Sequence, residues 1–133
     1  PITVADLMRT RFERVAADAS VGYFVDECLL RSNQLLWPVM EGSRCVGTLS
    51  LQEVMALPVE RRSDTQVGRI CVSLRSSGAI DAGMPAADAM SALAAQQDRP
   101  VPVVREGEVV GLLRGTDILK WLTVHGDEGR LET

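Results

Sequence analysis

Pro38-Val39-Met40-Glu41-Gly42-Ser43-Arg44-Cys45-Val46-Gly47 recurs 64 positions later as Pro102-Val103-Val104-Arg105-Glu106-Gly107-Glu108-Val109-Val110-Gly111, with the same spacing from Pro to Gly in both copies. Self-similarity at a fixed offset means two copies of one supersecondary unit, and two copies alone are expected to pack on each other. Within each copy a short polar connection, Glu41-Gly42-Ser43 or Glu106-Gly107, joins two apolar runs and has the length of a hairpin turn. The strands expected are Leu35–Met40 with Arg44–Leu49, and Val101–Arg105 with Glu108–Arg114.

The match extends outward from the hairpins. Upstream, Val21, Phe24, Val25, Cys28 and Leu29 repeat at helical spacing, as do Ala86, Ala89, Met90, Leu93 and Ala94, so each hairpin is preceded by an amphipathic helix. Ser20 is placed to cap the first of these, and Pro85 suits the first turn of the second, where a missing N–H costs nothing. Downstream, Leu51, Val54 and Met55 form one short apolar stripe, and Ile118, Leu119 and Leu122 a longer one. Short strands are expected near Arg14–Ala16 and Ala79–Asp81, and helical turns at Thr3–Met8 and Gln66–Cys71 open the two copies. The division that follows is repeat 1 over residues 1–57, a linker over 58–65 with Pro58 and the charged run Glu60-Arg61-Arg62, repeat 2 over 66–124, and a tail over 125–133.

Composition narrows the function. The chain has 133 residues, 46% of them hydrophobic, enough for a core but with no apolar stretch long enough to span a membrane. No signal peptide is expected, and a start at Pro1 suggests processing or a segment of something larger. A net charge of −4 and a pI near 5.0 leave no basic footprint, and the aromatic residues are not interleaved with clustered cations, which argues against nucleic acid. Cys28 on a helix stripe and Cys45 in a strand read as buried free thiols of a reducing, cytoplasmic compartment. The single histidine, His125, follows the last apolar stripe and has no Cys or second His at metal-ligand spacing. Neither a catalytic constellation nor a glycine-rich phosphate loop is visible, so no enzyme activity is expected of the module itself.

A strand with Pro-Val, a Gly turn, a second strand ending at Gly plus two residues, and a polar position followed three residues later by a carboxylate resembles the cystathionine-β-synthase (CBS) domain. Two copies resemble a CBS pair, or Bateman module, over roughly Thr3 to Leu122. The resemblance implies an α/β fold of tandem repeats, each helix-strand-helix-strand-strand-helix, packed about a pseudo-twofold axis. It further implies no required cofactor, adenosyl ligands such as AMP, ADP, ATP or S-adenosylmethionine, control of a fused or associated protein, and pairing into a homodimer. Leu51, Val54, Met55, Ile118, Leu119, Trp121 and Leu122, on the helices after the hairpins, are the interface candidates. The opening Thr3-Val4-Ala5-Asp6-Leu7-Met8 also resembles pairs attached to site-two-type membrane zinc proteases, in which case the chain is the cytoplasmic domain of a membrane protein with no insertion of its own.

The family's ligand segment is Gly-hydrophobic-x-Thr/Ser-x-x-Asp, with the hydroxyl on phosphate, the Asp on the ribose hydroxyls, and apolar residues before the Pro against adenine. An ionised carboxylate is acceptor-only and so suits a vicinal diol. In repeat 1, Ser50 matches the hydroxyl but Glu53 replaces Asp, and Ser-x-x-Glu is equally a helix capping box that needs no ligand. In repeat 2, Asp117 matches while Arg114 stands at the hydroxyl position, where a guanidinium suits phosphate; alternatively Thr116 or Asp117 caps the last helix and Arg114 is solvated. Val101 and Pro102 would wall the second cleft, and Leu36, Trp37 and Pro38 the first. Two functions stay open: a sensor of an adenosyl ligand, and a dimerisation or docking module that binds no small molecule.

Overall fold

The computed structural model describes residues 1–96 and 99–125. Its elements in chain order are α1 (Val4–Leu7), β1 (Val15–Ala16), α2 (Val21–Glu27), β2 (Trp37–Glu41), β3 (Arg44–Leu49), α3 (Leu51–Met55), β4 (Val72–Ser73), β5 (Ile80–Asp81), α4 (Ala86–Ala94), β6 (Val101–Arg105), β7 (Glu108–Leu113) and α5 (Gly115–His125). Both expected hairpins are present, β2 antiparallel to β3 and β6 antiparallel to β7, each with its short strand, β1 or β5, parallel alongside. Each hairpin shifts register at the same place in the repeat, between Val39 and Met40 and between Val103 and Val104. The turns need positive φ, supplied by Gly42 at 61° in the first and by Glu106 at 52° with Gly107 at 80° in the second.

The chain folds as two compact units that cut across the repeats. One comprises residues 1–11 with 78–133, the other residues 12–77. The opening segment of each repeat therefore completes the unit of the other. In the first unit Val4 N–H donates to Met84 O at 2.8 Å and Ala5 N–H to Ala82 O at 2.9 Å; in the second, Val67 N–H donates to Ala19 O at 2.8 Å and Gly68 N–H to Ala17 O at 2.9 Å. The contiguous boundaries 1–57 and 66–124 describe the sequence repeat, whereas each compact unit joins segments of both repeats. The physical reason is reach: the polar 58–65 connection and the segment around residue 11 allow each opening turn to find backbone donors and acceptors in the loop before the opposite long helix. The linker is itself partly ordered, with a 3₁₀ turn over Val59–Arg61.

This exchange explains the repeated glycines. After the opening turn of repeat 2 the chain runs antiparallel to β3 as β4, pairing Ser73 with Gly47 and Val72 with Thr48. A Cβ on Gly47 would lie 2.2 Å from Val72 O, a contact no side chain survives without backbone movement. After the opening turn of repeat 1, Arg9 pairs with Leu112 through hydrogen bonds of 2.8 and 3.0 Å, and Met8 lies over Gly111. Gly47 and Gly111 thus make room for the incoming segment.

Each unit has its own core. Residues 12–77 bury Val15, Val21, Phe24, Trp37, Val39, Leu49, Val54 and Val67; the other unit buries Val4, Ile80, Ala89, Leu93, Val101, Val103, Leu113 and Ile118. Phe24 and Trp37 meet edge to face with centroids 5.0 Å apart, a geometry favoured by the ring quadrupoles. Ser20 caps α2 as expected, accepting from Tyr23 N–H at 3.0 Å, whereas Pro85 stands one residue outside α4. Cys28 and Cys45 are buried free thiols and Cys71 is partly buried; burial is the main cause that pushes all three thiol pKa values up. None of the described helices is long and apolar enough to cross a membrane.

Candidate functional site

Of the residues singled out in the sequence, Ser50 with Glu53 and Arg114 with Asp117 form one cluster in each unit. Ser50, at the end of β3, precedes α3. Its N–H donates to Glu53 Oε1 at 2.7 Å, its Oγ lies 2.9 Å from the same oxygen, and the reciprocal bond from the Glu53 backbone completes a capping box. Ser50 is 7% exposed. Both side chains thus satisfy backbone donors that α3 would otherwise leave open.

Arg114 and Asp117 occupy the corresponding place between β7 and α5. Asp117 Oδ2 accepts from the Arg114 N–H at 2.9 Å, so Asp117 also closes the helix start, reaching back from the first turn rather than standing before it. The other oxygen, Oδ1, faces cations: Arg114 Nη2 lies 3.2 Å away and Arg9 Nε 3.7 Å away. The Asp117 side chain is 10% exposed, Arg114 29% and Arg9 57%. Arg114 Nε is buried without a hydrogen-bond partner. Arg114 is therefore no solvated strand-end residue, and Thr116, exposed on the first turn, takes no part in the cluster.

The expected apolar walls are covered. Trp37 and Val101 have no exposed surface, Leu36 has 4%, and Pro38 and Pro102 are buried. The ladder register places Trp37 opposite Leu49 and Val101 opposite Leu113, so their side chains serve the cores. Trp37 Nε1 is a buried donor without a partner. Of the interface candidates, Val54 and Ile118 are likewise core residues at 1% and 2% exposure, because a helix on a sheet turns part of its stripe inward. Leu51, Met55 and Leu119 remain exposed, Leu122 packs against its unit's core, and Trp121 stacks on His125 at 4.1 Å.

Arg9 is the site residue that sequence reasoning missed. Met8-Arg9-Thr10 carries no motif, and only the pairing of Arg9 with Leu112 brings the guanidinium to Asp117. Two grooves in the 12–77 unit, of about 440 and 530 Å³, share Gln66 and Arg69 and include none of the expected ligand residues. Among the described residues, no three His, Cys, Asp or Glu side chains gather as metal ligands would.

Residues 74–124 match the CBS domain family. The CBS-pair protein CBSX2 of Arabidopsis thaliana, in its complex with AMP, superposes with a TM-score of 0.80 at 22% identity, covering 93% of this chain and 98% of that one. An acetoin utilization protein (AcuB) from Vibrio cholerae gives 0.78 at 12% identity over 99% of this chain and 97% of that one. MJ1004 from Methanocaldococcus jannaschii gives 0.78 at 19% identity and 92% of this chain, which spans 60% of the length of that protein. No curated sequence matches the chain. Residues 74–124 thus match one CBS domain, and the chain as a whole has the α/β fold of tandem CBS-pair structures.

Proposed function

We propose that this CBS pair is a non-catalytic regulatory module that binds an adenosyl ligand at Asp117 and transmits its presence to a fused or associated protein. The observation that carries this reading is the divided carboxylate of Asp117: one oxygen caps α5, while the other faces guanidinium groups at 3.2 and 3.7 Å. A ribose diol can donate to that second oxygen, and the displaced guanidinium groups then suit phosphate. The likeness in fold to CBSX2, crystallised with AMP, supports the same ligand class. Regulation requires that the ligand bind two arrangements of the module with different affinity.

Calorimetry and thermal-shift measurements with AMP, ADP, ATP and S-adenosylmethionine test the reading. A ligand at a hundred times its Kd stabilises the folded state by about 2.7 kcal/mol. Stabilisation by at least one of these compounds, lost in Asp117→Ala, is expected; no response to any of them would overturn it.

A second reading, a dimerisation or docking module without a small molecule, is favoured by the closed Ser50–Glu53 box and by the exposed Leu51, Met55 and Leu119. It predicts a homodimer whose mass in solution falls to one chain when Leu119 and Met55 are changed to Asp, since charge in an apolar contact is costly.

A further inference from the structure

We infer that Arg9, supplied by the opening segment, is an internal counter-ion of Asp117 that makes the site select phosphorylated adenosyl ligands over adenosine. The inference rests on the adenosyl-binding reading above and names the residue that gives that site its preference. Arg9 is held in place by its backbone: its N–H and C=O bond to Leu112 at 2.8 and 3.0 Å, one strand away from the hairpin that ends at Arg114. From there Arg9 Nε lies 3.7 Å from Asp117 Oδ1, the same oxygen that Arg114 Nη2 approaches at 3.2 Å.

Asp117 Oδ1 is thus the one place where a ribose hydroxyl and two guanidinium groups compete. Oδ2 already accepts from the Arg114 N–H, the bond that holds the start of α5. A ligand that takes Oδ1 must loosen an ion pair whose acid side is 10% exposed. Adenosine offers nothing in return. A phosphorylated ligand offers the freed guanidinium groups a new anion, in charge-assisted and often bidentate bonds. Arg9 is the more exposed of the two: its side chain is 57% exposed, against 29% for Arg114, and its anchor is its backbone. It can leave the carboxylate for a phosphate without disturbing β7 or α5.

The second unit lacks both parts of the device. Ser50 stands where Arg114 does, and the ladder partner of Thr48, the counterpart of Leu112, is Val72 rather than an arginine. The selectivity should therefore belong to one unit.

The test is calorimetric titration of adenosine, AMP and ADP into the wild type and Arg9→Gln, with circular-dichroism melts as a check on folding. In the wild type AMP should bind more tightly than adenosine. Loss of one charge-assisted contact should weaken AMP and ADP by about tenfold, while adenosine binds Arg9→Gln as well as or better than it binds the wild type. Arg9→Met, which keeps the aliphatic stem, replaces Gln if the melt shows a folding defect. An unchanged ratio of AMP to adenosine affinity, with wild-type binding intact, overturns the role of Arg9 and leaves the adenosyl-binding reading standing. No binding of any of the three to the wild type overturns both.

Discussion

The Ser50–Glu53 and Arg114–Asp117 segments do the same backbone task with different remainders. In both, a carboxylate three residues into the segment returns to the N–H that opens a helix, at 2.7 Å for Glu53 and 2.9 Å for Asp117. In the first the partner residue is a serine, whose hydroxyl turns to the same carboxylate oxygen, and the local hydrogen bonding closes on itself. In the second the partner is an arginine, Arg9 arrives from another segment, and a carboxylate oxygen is left among cations instead of hydroxyls. A duplicated motif can thus keep its structural task in both copies while the surroundings of its carboxylate diverge.

The strongest way to break the comparison is at the glycines. A methyl group on Gly47 meets the Val72 carbonyl at 2.2 Å, whereas one on Gly111 meets the Met8 side chain, with its sulfur at 2.4 Å and Cγ at 2.7 Å. Gly47→Ala is expected to cost about 3 kcal/mol or more, and Gly111→Ala about 1 kcal/mol, because a thioether can swing away and a hydrogen-bonded backbone cannot. Urea unfolding of the two variants measures this; equal losses would mean that the two openings are not held differently.

The carboxylates sharpen it next. Asp117→Ala should weaken every adenosyl ligand by roughly 1 to 3 kcal/mol, the range for hydrogen bonds to a charged acceptor. Glu53→Ala should leave those affinities unchanged and lower stability by about 1 kcal/mol, the usual worth of a lost helix cap. Titration and melting of the same two proteins separate these effects, and ligand loss on Glu53→Ala would place the site in the other unit.

The smallest effect is alkaline. All three cysteines lie in the 12–77 unit, and burial raises their thiol pKa values above the ordinary 9.0. Well below that value folded and unfolded chains both keep the protons, and pH has no leverage through these groups. Above it the unfolded chain loses protons first, so stability falls as pH rises, until the folded thiols ionise too. Urea midpoints measured from about pH 8 to about pH 10 should therefore decline, and Cys45→Ala should flatten the decline. An unchanged slope in Cys45→Ala would mean that Cys45 titrates alike in both states.

Much of the local structure was legible because it is encoded locally. Hairpin length, helix periodicity and the Ser20 cap depend on residues a few positions apart, and the observed β2, β3, β6 and β7 fall within a residue or two of the expected strands. The capping-box reading of Ser50 and Glu53 was open to sequence for the same reason. Trp37 and Val101 were less legible: a side chain beside a Pro at a strand start reads the same whether it faces a ligand or a core, and only packing turned both inward.

The duplicated sequence by itself determined the repeat, its order of elements, the carboxylate at each helix start and the poverty of positive charge. Tertiary structure alone decided that the opening turn of each repeat crosses to the other unit, that Gly47 and Gly111 clear space for it, and that Arg9 meets Asp117. These depend on pairings such as Arg9 with Leu112, more than a hundred residues apart, whose energy comes from backbone hydrogen bonds that any residue except proline can make. Side-chain pattern carries no mark of such a pairing, so it became visible only once the two ends of the chain were in contact.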